Sequence, residues 1–242
     1  MAIAAEPFVV DSGPEGQLVE LPALQALCGE PGRAGVGWRY VHGPELAPDA
    51  AAAERKLWSD VVLVERLRSA VARINPHLPS DAVQRVCDLA LTSTSPAVIE
   101  DHRGFHEFLL AGVPVSYRDE HGDDRHDHAW LVDFDEVRNN EFLAVNQFTI
   151  IVGGKNRRPD LLLYINGLPL GQIECKAPGI DDPAQQAVNQ VAHYAATIPQ
   201  LYRYVEIVGV TDLMRAVVGT LTTPAEHFAE WKTMSAAGAP PK

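Results

Sequence analysis

Two acids and an amine stand close together in the segment RRPDLLLYINGLPLGQIECK: Asp160, then Glu174 fourteen residues on, then Lys176 two beyond that. Carboxylate oxygens suit a hard divalent ion such as Mg2+, which keeps several of its waters. Two carboxylates that face each other repel unless a positive charge lies between them. An ion there can polarise a phosphoryl oxygen, acidify a bound water and stabilise a leaving alkoxide, while an amine beside it orients the water or offsets developing negative charge. These residue types in this order point to phosphodiester hydrolysis.

The elements that must position them are two strands of a hairpin. Side chains two apart on a strand share a face, so Glu174 and Lys176 project together. Asp160 depends on register. With a three-residue loop over 166–168, Ile165 pairs with Pro169 and Asp160 falls opposite Glu174, whereas a two-residue loop alone sends the two acids to opposite faces. The expectation is therefore the longer loop or a bulge, and Pro169 favours either because it has no N–H to give a ladder.

Around this hairpin the first half of the chain reads as mainly helical, with apolar residues recurring at spacings of three and four. Helices are expected over 18–28, over a long segment after Asp49 with the stripe Leu57, Val61, Val64, Leu67, Val71 and Ile74, over 80–89, and after Ser95 and Pro96 as cap and first residue. The long one must stop near Asn75, ahead of Pro76. WRYVHG reads as a short strand. From Val113 the pattern turns to period two or short apolar runs, with VPVSYR and HAWLVDF as a hairpin, then FLAVNQFTIIV, PDLLLYI and LPLGQIECK in succession. A helix over 183–197, the strands VEIVGV and AVVGTL, a short helix over 224–231 and a flexible tail over 232–242 complete the reading. The fold class is α/β.

The 242 residues carry 20 Lys+Arg against 32 Asp+Glu, a net charge of -12, so charge alone does not hold this chain on a polyanion. A local patch must do so, and Lys155, Arg157 and Arg158, just before the acids, are the candidates. No apolar run is long enough to span a membrane and no basic-then-apolar leader opens the chain, which makes the cytoplasm the expected compartment. Cys28, Cys87 and Cys175 are odd in number and far apart, which points neither to a disulfide framework nor to zinc. His121, His126 and His128 fall in a polar hairpin tip, and the four tryptophans and Tyr202 and Tyr204 read as packing.

PD at 159–160 with ECK at 174–176 resembles the PD-(D/E)xK nuclease superfamily. AVNQFTI, RRPDLLLYINGLPLGQIECKAP and QVAHY together resemble the N-terminal nuclease domain of the R subunit of type I restriction enzymes. GWRYVHGPELAP, RINPHLP, VDFD, GTLT and FAEW extend the likeness over nearly the whole chain. The resemblance implies a restriction-endonuclease-like mixed β-sheet flanked by helices, one nuclease domain over 1–231 with a helical part at about 15–112 and the catalytic sheet at about 113–222. It further implies Asp160, Glu174 and the Cys175 backbone carbonyl as ligands of Mg2+, with Mn2+ as a substitute. Lys176 would be the catalytic lysine, and Gln190 and Tyr194 would fill the family's QxxxY motif. Glu20 in QLVELPAL matches a further acid from the first helix. Cys175 stands where an aliphatic residue is usual.

The expected function is an endonuclease domain of a type I restriction-modification system acting in defence against foreign DNA. Its partners would be double-stranded DNA, the modification and specificity subunits, and a motor domain in cis or in trans. The chain holds no GxxxxGK followed by Ser or Thr, so ATP enters only through a motor outside it. It is expected to be an isolated nuclease domain, a truncated gene product or a piece cut from a longer subunit. The alternative from another class is a non-catalytic docking or DNA-binding module of the same complex.

Overall fold

The computed structural model describes residues 8–179, 181–212 and 214–231; the expected flexible tail lies outside them. A π-helical turn at Gly16–Glu20 runs into α1 (Leu21–Cys28), followed by the small hairpin β1 (Gly29–Glu30) and β2 (Arg33–Ala34) and by β3 (Arg39–His42). Three helices come next, α2 (Val64–Ile74), α3 (Ser80–Leu91) and α4 (Val98–Ala111). β4 (Val113–Arg118) and β5 (Asp124–Ala129) form a hairpin of their own. Then come β6 (Phe142–Asn146), the hairpin β7 (Ile150–Val152) and β8 (Lys155–Arg157), β9 (Leu161–Ile165) and β10 (Leu168–Cys175). α5 (Pro183–Thr197) and α6 (Pro199–Tyr202) cross over to β11 (Ile207–Thr211), and β12 (Ala216–Gly219) and β13 (Ala229–Glu230) close the described chain.

Seven strands make the central sheet in the order β13-β12-β11-β10-β9-β6-β3. β10 and β11 run parallel, joined through α5 and α6, and β3 lies parallel to β6; the other neighbours are antiparallel. The class is α/β with a mixed sheet and helices, as expected. The sheet's limits differ from the expected 113–222. β3, from the helical part, supplies one edge, and the β4–β5 hairpin pairs apart from the sheet.

The two faces of the sheet bury different layers. Leu143, Val145, Leu162, Tyr164 and Val208 pack into the large core with the buried faces of α2, α3 and α4. Ala144, Leu161 and Cys175, which alternate with them along the strands, pack under Val19 and Leu24 beside α1. β6 and β9 are apolar runs because both their faces are covered.

Three expectations need correction. The long helix after Asp49 begins only at Val64. Val61, Val62 and Leu63 are all buried in succession, which one helical stripe cannot achieve, and the backbone here bonds elsewhere: Ile151 N–H donates to the Trp58 carbonyl and Leu63 N–H to that of Gly167. Residues 224–231 are a 3-10 turn at Ala225–His227 followed by β13, not a helix. The Phe228 ring lies where a Cβ on Gly219 would be, 2.6 Å from its nearest atom, and Trp231 N–H donates to the Ala216 carbonyl at 2.7 Å. Of the tryptophans read as packing, Trp38 meets Phe142 edge to face, but Trp130 and Trp231 are exposed. Among the described residues no helix is long and apolar enough to cross a membrane.

Candidate active site

The β9–β10 hairpin closes in two residues, Asn166 and Gly167, both at positive φ (54° and 81°) as a tight turn with the right twist requires. The turn is buried against the helical layer. Asn166 donates to the Leu131 carbonyl and its Oδ1 accepts from Glu141 N–H, while a Cβ on Gly167 would meet the Leu63 carbonyl oxygen at 2.5 Å. With this loop alone the two acids would part. Leu170 prevents it: Pro169 pairs with Tyr164 and Gly171 with Leu163, so Leu170 is left out of the ladder and the register shifts by one. Of the two expected routes, the bulge is the one taken.

Beyond the bulge Ile173 pairs with Leu161, so the next position of β10, Glu174, faces Asp160 just ahead of β9. Asp160 Oδ2 accepts from Cys175 N–H at 2.8 Å. Glu174 is fully buried. Its Oε1 accepts from Gln172 Nε2 at 2.6 Å and its Oε2 from Lys176 Nζ at 3.2 Å. Lys176 is also buried, and its Nζ donates to Gln190 Oε1 at 2.6 Å. One turn along α5, Tyr194 OH accepts from Gln190 Nε2 at 3.0 Å, the i, i+4 pairing that places both side chains on one helix face. Asp182 caps α5 by accepting from Gln185 N–H, which starts the helix where this face meets the hairpin.

Glu20 arrives from the other face of the sheet. It is buried at the end of the π-helical turn, and its Oε1 accepts from Asn146 Nδ2 at 2.6 Å. Asn146 ends β6 directly beside Leu161. Three carboxyls, Glu20, Asp160 and Glu174, thus gather at one end of the sheet, with Glu15 nearby accepting from Ala177 N–H.

Their proton affinities record the crowding. Burial pushes Glu174 up to about 8, the Asp160 charge adds to this, and Lys176 and Gln172 oppose it. Glu20 is pushed up to about 7, first by burial and then by Asp160 and Asp11, against the Asn146 hydrogen bond. Asp160 is raised by burial in spite of Lys176 and the Cys175 N–H. Tyr194 is pushed up to about 12 by burial and by Glu174.

Carboxyls that resist ionisation beside one another are those a cation would relieve, and the donors are hard oxygens. The Cys175 thiol lies in the apolar layer beside α1, and burial together with the neighbouring acids raises it far above its ordinary value, so it offers no thiolate. Among the described residues no three His, Cys, Asp or Glu side chains close on one point as they stand. Two carboxylates and a backbone carbonyl, with water for the remainder, suit Mg2+, which seldom takes an all-protein cage. The residues fit the ion.

The basic residues ahead of the acids are spread differently. Lys155 is exposed in β8, Arg157 donates to Thr197 Oγ1, and Arg158 pairs with Asp11 at 2.8 Å. Two site neighbours escaped the sequence reading. Gln172 lies two before Glu174, so the period that linked Glu174 to Lys176 points to it too; Asn146 lies in AVNQFTI, but nothing local ties it to Glu20.

The family described as type I restriction enzyme R protein N terminus has a sequence model that matches residues 31–227. The chain is 32% identical over 221 residues to the putative type I restriction enzyme MjaIXP endonuclease subunit of Methanocaldococcus jannaschii, covering 90% of this chain and 20% of that protein. It is 36% identical over 203 residues to the type I restriction enzyme HindI endonuclease subunit of Haemophilus influenzae, covering 82% of this chain and 19% of that one. The chain thus spans about a fifth of the length of these relatives.

Proposed function

Because the chain belongs to the type I restriction enzyme R protein N-terminal family and its relatives are named endonuclease subunits, we propose that it is the Mg2+-dependent DNA-cleaving domain of such a subunit. The supporting observation is the convergence of Asp160, Glu174 and Lys176 at one buried end of the sheet, on strands brought into register by a bulge.

In this reading Asp160, Glu174 and the Cys175 carbonyl hold the ion, with Glu20 as a further carboxylate. When bound, the ion supplies positive charge at the phosphoryl oxygen and makes a water more acidic. Lys176 Nζ spends two of its three N–H donors on Glu174 and Gln190. The third is left for the attacking water or a phosphate oxygen, where a buried ammonium counts for more than it would in water. Gln190 and Tyr194 position the lysine. The Gln190 carbonyl oxygen accepts from Nζ, and its amide is in turn held by the Tyr194 hydroxyl.

Lys155, with Arg157 and Arg158 behind it, would meet the backbone of double-stranded DNA, contacts that position without reading sequence. Site selection then falls to specificity and modification subunits in the cytoplasm, and ATP acts through a motor domain joined in cis or in trans. The test is divalent-ion binding. Mn2+ should raise the melting temperature of the wild-type chain and fail to do so in Asp160→Asn, whereas equal stabilisation of both, or of neither, contradicts the assignment.

A further inference from the structure

Two of the site's carboxylates are held in the same way from opposite faces of the sheet. Glu174 Oε1 accepts from Gln172 Nε2 at 2.6 Å, and Gln172 Oε1 accepts from Tyr202 OH at 2.8 Å. Glu20 Oε1 accepts from Asn146 Nδ2 at 2.6 Å, and Asn146 Oδ1 accepts from Tyr40 OH at 3.1 Å. Each is a chain of tyrosine, side-chain amide and carboxylate. Gln172, Glu174 and Tyr202 are at most 1% exposed, so no water replaces a lost partner there cheaply.

The direction of each chain follows from donor chemistry. A carboxylate ionised to hold a cation only accepts, so the amide must turn its nitrogen to it. Its oxygen then points the other way and needs a donor, and the tyrosine hydroxyl is the donor within reach. For Asn146 the constraint is doubled, because Nδ2 also donates to the Val9 carbonyl at 2.6 Å, while Tyr40 OH accepts from Val9 N–H at 3.1 Å. Remove a hydroxyl and the amide oxygen loses its donor, although for Asn146 the Val9 carbonyl still holds the nitrogen end. A flipped amide would present an oxygen to the carboxylate and repel its ionised form.

We propose that Tyr202 and Tyr40 are positioning residues, each fixing one side-chain amide so that its N–H faces a carboxylate of the site and keeps that carboxylate aimed and ready for a cation. This rests on the reading of these acids as a cation-assisted nuclease site. Tyr202 is carried by α6, within the crossover that makes β10 and β11 parallel, and Tyr40 by the edge strand β3. The crossover helix and the edge strand are thus each tied to one of the acids through one amide. Partners behind metal ligands of this kind are typically worth about 10- to 100-fold in metal affinity.

The test uses Tyr202→Phe and Tyr40→Phe, which keep the rings and remove only the hydroxyls. Mn2+ affinity is measured by calorimetry, and the side-chain amide resonances of Gln172 and Asn146 by NMR on metal-free protein. Each variant is expected to bind Mn2+ about tenfold more weakly or worse. The Gln172 amide protons should shift and exchange faster in Tyr202→Phe, with those of Asn146 unmoved, and the reverse should hold in Tyr40→Phe. A merely structural role would lower the melting temperature and leave Mn2+ affinity at its wild-type value, which would overturn the proposal, as would unmoved amide resonances. If the wild-type chain itself binds no Mn2+, the nuclease reading fails, and the amide spectra by themselves decide whether the hydroxyls fix the amides.

Discussion

Glu174 faces Asp160 because Leu170, between them in the chain, takes no part in the ladder. The tight Asn166-Gly167 turn sets one register and the bulge at Leu170 shifts it by one residue, and in a structure of period two that single residue decides the face on which an acid lies. The site therefore depends on the register that β10 keeps beyond the bulge.

Deleting Ile173, a paired residue beyond the bulge, should abolish metal binding and cleavage while leaving every acid and the lysine in the sequence. Glu174 would then take the place opposite Leu161, carrying it and Lys176 to the face away from Asp160. Calorimetry with Mn2+ checks this, with circular dichroism to establish that the chain still folds. A folded deletion variant that binds Mn2+ like the wild type would contradict the register given to this hairpin.

In the absence of metal, stability should fall as pH rises from about 4.5 towards 8. Burial holds the carboxyl of Glu174 at about 8 and that of Glu20 at about 7, against 4.5 in the unfolded chain. Between those values the folded protein binds more protons than the unfolded one, so raising the pH favours unfolding. Melting in EDTA should drop by roughly 4 °C or more between pH 5 and pH 8, the worth of about one pKa unit in a domain of this size. Glu174→Gln should flatten the slope, and Mg2+ at pH 8 should reverse the loss. A melting temperature that rises over this interval in EDTA would contradict the account.

Gly167→Ala should cost at least about 1–3 kcal/mol by placing a side chain at φ 81°. The new Cβ would also press on the Leu63 carbonyl oxygen at 2.5 Å. Urea unfolding measures the loss. A variant as stable as the wild type would show that the turn is not held against the start of α2 as described.

The hairpin that carries Asp160, Glu174 and Lys176 was legible in the sequence because its signals are local. Alternation, a turn dipeptide and a proline together required either a longer loop or a bulge, although only the three-dimensional register decides between them. Gln172 was equally within reach, two residues from Glu174, but a glutamine carries no chemistry that draws attention by itself. Tyr202 read as packing, which it is, and its hydrogen bond to Gln172 spans 30 residues of crossover. The Glu20 to Asn146 bond spans 126 residues, beyond any pattern in one chain. The segment before α2 misled because its apolar spacing mimics a helix, whereas tertiary hydrogen bonds hold it open: Arg55 donates to the carbonyls of Leu46, Asp60 and Thr149 from a buried position.

The central claim is cation-dependent cleavage by the acids and the lysine of this hairpin, and cleavage of supercoiled plasmid by the purified chain tests it most directly. With Mg2+ or Mn2+ the wild-type chain should nick the plasmid. Asp160→Ala and Lys176→Ala should each lower the rate by at least about 100-fold, and EDTA should stop it. Cleavage that persists in EDTA or in either variant, or a wild-type chain that leaves the plasmid intact with both metals, would contradict it.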